Sequence, residues 1–210
     1  MDLYFSPLAC SMATRIAFYE AGINGNFIAV DNQAKRLADG SDFLAINAMG
    51  QVPVLRTDAG ELLTENPVVL QYVADQKPQS GLAPQGGIER YHLQQWLSFI
   101  TSELHKVVFI PLLDPASPEA AKPYAREKAE RRLTYLNGHL AGKDYLLDRF
   151  TVADAYLVTV LNWAKFVGPD LAKWPALKSY MDRMYQRPSV AKALAEEMAL
   201  FEQEQRRRRQ

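Results

Sequence analysis

Cysteine is the scarcest chemical resource of this 210-residue chain, which has one, Cys10. An intrachain disulfide and a cysteine-cluster metal site are thereby excluded. The three histidines, His92, His105 and His139, are too scattered for a zinc motif, so no metal is expected. Charge of one sign is not in excess either: Lys plus Arg and Asp plus Glu number 24 each. No net field draws nucleic acid or a membrane surface, and neither is expected as a partner. The single cationic run, Arg206 to Arg209, reads as a solvated, frayed end. Asp2, Arg15 and Glu20 interrupt any apolar leader. No stretch approaches the ~20 apolar residues of a membrane helix, and Tyr156 to Leu161 reads as a core-helix segment. With a single thiol, these absences predict a reducing, cytoplasmic location.

What is present is ordinary in amount, 48% hydrophobic and 23% charged residues, and divided in texture. Leu3-Tyr4-Phe5 reads as a strand, residues 11 to 21 as a helix stopped by Gly22, and Phe27 to Val30 as a second strand. Val54-Leu55 starts a third strand, and the turn Asp58-Ala59-Gly60 leads to a fourth near Glu61 to Leu63. Asn66 as N-cap with Pro67 at the first helical position opens a helix to about Asp75. Over residues 1–78 the order is β-α-β, an irregular stretch, then β-β-α, which implies an α+β domain, a small mixed sheet with helices packed on it, followed by an all-α domain. Lys77 to Gly87, with two prolines and three glycines, supplies the linker, placed at 79–87. Over 88–210 strand signals vanish. Leu93, Leu97, Ile100, Leu104 and Val107 or Val108 predict one long amphipathic helix from about 88 to 110, broken by Pro111, Pro115 and Pro118. A helix over 119–141 stops at Gly142. Thr151-Val152-Ala153-Asp154 is a capping box opening a helix through Phe166. Shorter helices are predicted over 174–186 and 189–204.

Residues 47 to 55, Asn-Ala-Met-Gly-Gln-Val-Pro-Val-Leu, carry the most functional information. Proline lacks an N–H, so Pro53 marks a strand's first residue or an edge. With a cis bond before it, Val52 keeps backbone groups free to pair with an extended peptide ligand. Cys10 stands at a strand-to-helix turn, where helix N–H groups and the dipole favour a thiolate. Ala13 at the third position beyond it rules out a Cys-x-x-Cys pair, leaving monothiol chemistry. Glu65, beside the N-terminus of the next helix, suits an α-amino acid head group: backbone N–H groups for the carboxylate, the glutamate for the ammonium. Read alone, each feature has a plain alternative: an X-Pro turn, a buried small hydrophobe, a solvated cap.

Together, Ser6-Pro7…Cys10-Ser11, Asn47 to Leu55, Leu63-Thr64-Glu65 and Phe150-Thr151-Val152-Ala153-Asp154 make the chain resemble a cytosolic glutathione S-transferase. The likeness is to the bacterial beta class, whose hallmark is a cysteine in the first strand-to-helix turn. The resemblance implies a thioredoxin-like N-terminal domain (βαβαββα) followed by an all-α helical domain, and a homodimer that conjugates glutathione, as co-substrate, to small, largely hydrophobic electrophiles, a detoxification chemistry. It places Cys10 beside the glutathione sulfur, Val52 before Pro53 on the cysteinyl backbone, Glu65 and Asn66 on the γ-glutamyl head and Lys35 near the glycyl carboxylate. Where the family often has Ser or Gly, this chain has Asn66, which keeps the backbone N–H and loses any hydroxyl contact. His105 matches a histidine near the thiol, and Glu103 matches a residue that reaches the neighbouring subunit's glutathione. Ser98, Ser102 and His105 would share a polar stripe of the long helix, and Phe109, Trp163 and Phe166 would face the electrophile. Thiol transfer through Cys10 and a non-catalytic binding role are the competing functions.

Overall fold

The structure, a computed structural model, describes residues 1–208, so Arg209 of the cationic run lies outside the described residues. Two compact units divide the chain: Met1–Leu82 together with the stretch from Pro188, and Ala83–Arg187. The first unit is built on a five-stranded sheet of order β3-β2-β1-β4-β5. Its strands are β1 (Asp2–Phe5), β2 (Asn26–Asp31), β3 (Arg36–Leu37), β4 (Val54–Arg56) and β5 (Leu62–Leu63). β1 and β2 are parallel, with Leu3 opposite Phe27, and the remaining pairs are antiparallel. Helix α1 (Met12–Ala21) makes the β1–β2 crossover and ends at Gly22, whose left-handed φ of 62° closes the last turn. It packs against α2 (Asn66–Asp75) and against the chain's last helix, Pro188–Arg208. Contact on both sides explains why Met12 through Phe18 are all buried.

The thioredoxin-like class holds, with corrections inside it. The second helix of the expected βαβαββα order is replaced by strand β3 and a single 3-10 turn, Phe43–Ala45. Short-range polar bonds account for this. Asp31 accepts from the N–H groups of Gln33 and Ala34, and Asp42 from that of Leu44. Such local closures compete with helix propagation. The expected assignment of 88–210 to one helical domain also differs from the observed grouping, because Pro188–Arg208 counts with the first unit. That return is fixed by charge: Arg15 on α1 meets Glu196 and Glu197, each at 3.0 Å.

The second unit contains helix α3 (Gly87–Leu113), α4 (Ala121–Leu140), α5 (Val152–Asn162), the short α6 (Ala164–Val167) and α7 (Pro175–Gln186); Pro188–Arg208 is α8. Pro111 lies inside α3 rather than ending it. A proline ring collides with the carbonyl four residues back. Here the preceding stretch, Ile100–Phe109, is wound as a π-helix, with the Ile110 N–H bonded to the His105 carbonyl. By length and composition α3 is also apolar enough to cross a membrane, contrary to expectation. Its apolar row, Leu93, Leu97, Ile100, Leu104 and Val108, is nonetheless buried in this unit. α5 is buried along its whole length. The capping box forms as expected, with Asp154 accepting from the Thr151 N–H and hydroxyl at 2.9 and 3.1 Å. α5 stops at Asn162, and Phe166 belongs to the separate turn α6.

Candidate functional site

In the first unit the predicted residues converge on the ends of β1, β4 and α2. The Val52–Pro53 bond is cis. Pro53 is buried, and Val52 packs against the core of Tyr4, Val30, Phe43 and Val54. Cys10 stands one residue before Ser11, the residue preceding α1, in the turn that follows β1. Its thiol donates to the Val52 carbonyl at 3.3 Å. Cysteine and cis-proline loops, 42 residues apart in sequence, therefore meet at one point. The Cys10 turn is held from below: Ser11 Oγ donates to the Ser6 carbonyl at 3.3 Å, and the Leu8 N–H donates to the buried Glu197 at 2.7 Å.

Glu65 and Asn66 occupy the adjacent corner, one step out of the expected register. The helix begins at Asn66, so Glu65 is the N-cap and Pro67 the second helical residue. Glu65 has φ 64°, a conformation costly for a residue with a Cβ. In that pose its carbonyl accepts the N–H groups of Val68 and Val69 while its side chain stays exposed. Pro67 has no N–H, so the Asn66 N–H is the open donor of this helix start, without an acceptor among the described residues. The Asn66 side chain does not cap. Buried at 5% exposure, it donates to the Cys10 carbonyl at 3.0 Å and accepts from the Thr14 hydroxyl at 3.2 Å. Lys35, at φ 56°, reaches the same loop from the other side, its ammonium 2.7 Å from the Gly50 carbonyl and 3.0 Å from Asn32.

The helical-unit residues do not form the expected stripe. Ser98 and Ser102 are exposed, with the Ser102 hydroxyl turned back to the Ser98 carbonyl at 3.0 Å. His105 is buried, 7% exposed, with Nδ1 2.7 Å from the Tyr156 hydroxyl and its ring 4.9 Å from that of Trp163. The π-winding advances each residue through a smaller angle than an α-helix does and turns His105 off the serine face. The expectation that His105 shares the polar stripe of Ser98 and Ser102 is thereby corrected. Burial, aided by Lys106, pushes its imidazole down to about 4, so it is neutral at pH 7. Glu103 pairs with Arg132 of α4 at 2.5 Å. Of the three aromatics, Phe109 is fully buried against Trp163 and is core, whereas Phe166 is 51% exposed. Tyr156 and the Asn66 side chain went unnoticed in the sequence. Their partners lie 51 and 56 residues away, beyond any local pattern.

A cysteine turn against a cis-proline loop, on a mixed sheet followed by a helical unit, defines a thioredoxin-like protein with an appended helical domain. Residues 9–76 match the family described as "Glutathione S-transferase, N-terminal domain", and residues 99–188 "Glutathione S-transferase, C-terminal domain". The chain belongs to the glutathione S-transferase family. Glutathione S-transferase GstA of Escherichia coli O157:H7 is 43% identical over 199 residues, 94% of this chain and 98% of its own. A sphingomonad glutathione S-transferase solved in complex with glutathione is 46% identical, with a TM-score of 0.89, covering 94% and 98% of the two chains. The bacterial beta class enzyme of Sphingomonas chungbukensis is 44% identical, with a TM-score of 0.90 and the same coverages. The likeness to the beta class is therefore carried by sequence and structure alike.

Proposed function

We propose that this protein conjugates glutathione to small, largely hydrophobic electrophiles. The glutathione sulfur, as thiolate, forms a bond to an electrophilic carbon; the leaving group departs with its electron pair, and the thiol proton passes to solvent. The observation that carries this reading is the Val52 carbonyl, an acceptor set for strand-like pairing, with the Cys10 thiol 3.3 Å away. A cysteinyl backbone paired at Val52 brings its sulfur to Cys10. The open Asn66 N–H and exposed Glu65 serve the γ-glutamyl carboxylate and ammonium, and Lys35 the glycyl carboxylate. His105 is the helical unit's contribution to thiolate chemistry, neutral and fixed by Tyr156. Ser98 and Ser102 are surface polar groups in this scheme. Glu103, paired to Arg132 within its own chain, keeps the role of reaching the second subunit's glutathione in a homodimer. The proposed setting is cytoplasmic, and the proposed role detoxification.

Thiol transfer through a Cys10–glutathione mixed disulfide is the second reading, favoured by the placement of Cys10 at the same acceptor. Two measurements separate them: retention on immobilised glutathione with conjugation of an activated aryl halide, and reduction of a small disulfide by glutathione. The wild type should bind and conjugate. Cys10→Ala should lose disulfide reduction and keep part of the conjugation. A wild type that neither binds the resin nor conjugates the halide ends the catalytic reading.

A further inference from the structure

Asn66 sits at the start of α2, where its own N–H is open, yet its side chain points away from that opening into the protein. The Cys10 carbonyl can only accept, which fixes the amide orientation: Nδ2 faces Cys10 and Oδ1 faces Thr14. The same Cys10 carbonyl also accepts the Ala13 N–H at 3.2 Å, so α1's first turn and Asn66 grip it together. Thr14 is fully buried and Asn66 nearly so, which makes the bond between them dry, while the bond to the half-buried Cys10 is part-buried. They join two elements that are 56 and 52 residues apart in sequence. On one side is the backbone of the residue whose sulfur reaches Val52. On the other is the helix start that carries Glu65 and the open N–H.

We infer that Asn66 is a positioning residue, a brace that fixes the spacing between the thiol turn and the head-group anchor and so selects thiol ligands by the distance between their γ-glutamyl end and their sulfur. The inference rests on the glutathione reading above. A ligand that satisfies Glu65, the Asn66 N–H and Val52 together must match a span that the protein holds rigid through one amide. A thiol one methylene longer meets the same anchors with its sulfur displaced. A rigid site penalises that displacement, and a slack one does not.

The test compares kcat/KM for glutathione with that for γ-glutamyl-homocysteinyl-glycine, using one aryl halide, in wild type, Asn66→Ala, Asn66→Asp and Thr14→Val. The wild type should prefer glutathione at least about tenfold. Asn66→Ala removes both arms of the brace, and the preference should fall about fivefold. Asn66→Asp keeps the Thr14 bond but sets a carboxylate against the Cys10 carbonyl, and should relax the preference to a similar degree. Thr14→Val cuts the other arm and should give a smaller fall in the same direction. If Asn66→Ala does not fold, the near-isosteric Asn66→Asp and Thr14→Val carry the comparison. Equal losses for both thiols, with the ratio unchanged, would overturn the inference by reducing Asn66 to general support. A folded Asn66→Asp that binds neither thiol would overturn it too, by making the side chain a ligand contact. A wild type without preference does the same. A wild type inactive with glutathione itself marks failure of the functional reading instead.

Discussion

The two units bury a carboxylate each, and they satisfy it in opposite ways. In the helical unit, Asp154 is fully buried and accepts from the Thr151 N–H and hydroxyl, the Leu146 N–H and the Tyr180 hydroxyl, all within 26 residues in sequence. In the first unit, Glu197 is as deeply buried, but its partners, the Leu8 N–H and Arg15, lie at the far end of the chain. The guanidinium of Arg15 is itself sandwiched, 4.2 Å from the Phe5 ring and 4.3 Å from that of Phe27. Its Nε stands 3.0 Å from Glu197 without the alignment of a hydrogen bond. Burial raises both carboxyls, Asp154 to about 6 and Glu197 to about 8. Four bonds offset the burial in one case, and chiefly one cation in the other. A cap built from neighbours tolerates damage better than a charge neutralised from a distance.

The largest effect should therefore come from Arg15→Met, which leaves Glu197 buried without its cation. A loss of about 3–5 kcal/mol is expected in urea unfolding at pH 8.5. Raised from 4.5 to about 8, Glu197 contributes stability that is fully present below pH 4.5 and lost as pH rises through 8. At pH 5.5 the carboxyl takes up a proton, and the Arg15→Met loss should shrink. An equal loss at both pH values would show that ionised Glu197 is not its cause. Next comes Asp154→Ala, expected to cost about 2–3 kcal/mol by stranding donors at the start of α5. Were it to exceed Arg15→Met at pH 8.5, the contrast between the two carboxylates would be inverted. The smallest is Arg208→Ala. Arg208 pairs with Asp31 at 3.2 Å, but on the surface, and less than about 1 kcal/mol is expected. A larger loss in the same unfolding assay would make this end of the chain a structural anchor.

The same contrast sorts what the sequence could reveal. Thr151-Val152-Ala153-Asp154 announces its cap because donor and acceptor lie three residues apart, and the structure forms that cap. Strands β1, β2 and β4 and helices α1 and α2 were legible from apolar runs ended by Gly and Pro. Cys10 and Val52-Pro53 were legible as types, and their meeting only through the family pattern. Arg15 and Glu197 gave no local sign, since each is a charged residue on a helix with ordinary spacing. β3, two residues long, is too short for any periodic signal. His105 was misplaced because α-helical spacing was assumed where the helix is π-wound. Asn66 passed for an N-cap because its residue type suits one, while its side chain serves Cys10 and Thr14 across the fold.

The bond from the Leu8 N–H to Glu197 bears on how the protein is made. Synthesis delivers β1, α1 and the Cys10 turn first, and the whole helical unit must be synthesised before Glu197 exists to meet Leu8 and Arg15. Until then Arg15 has no carboxylate from α8, and the turn that presents the thiol lacks one of its holds. The chain's earliest chemistry-bearing loop is thus among the last to be finished, and a nascent chain stalled short of α8 would carry Cys10 without its support.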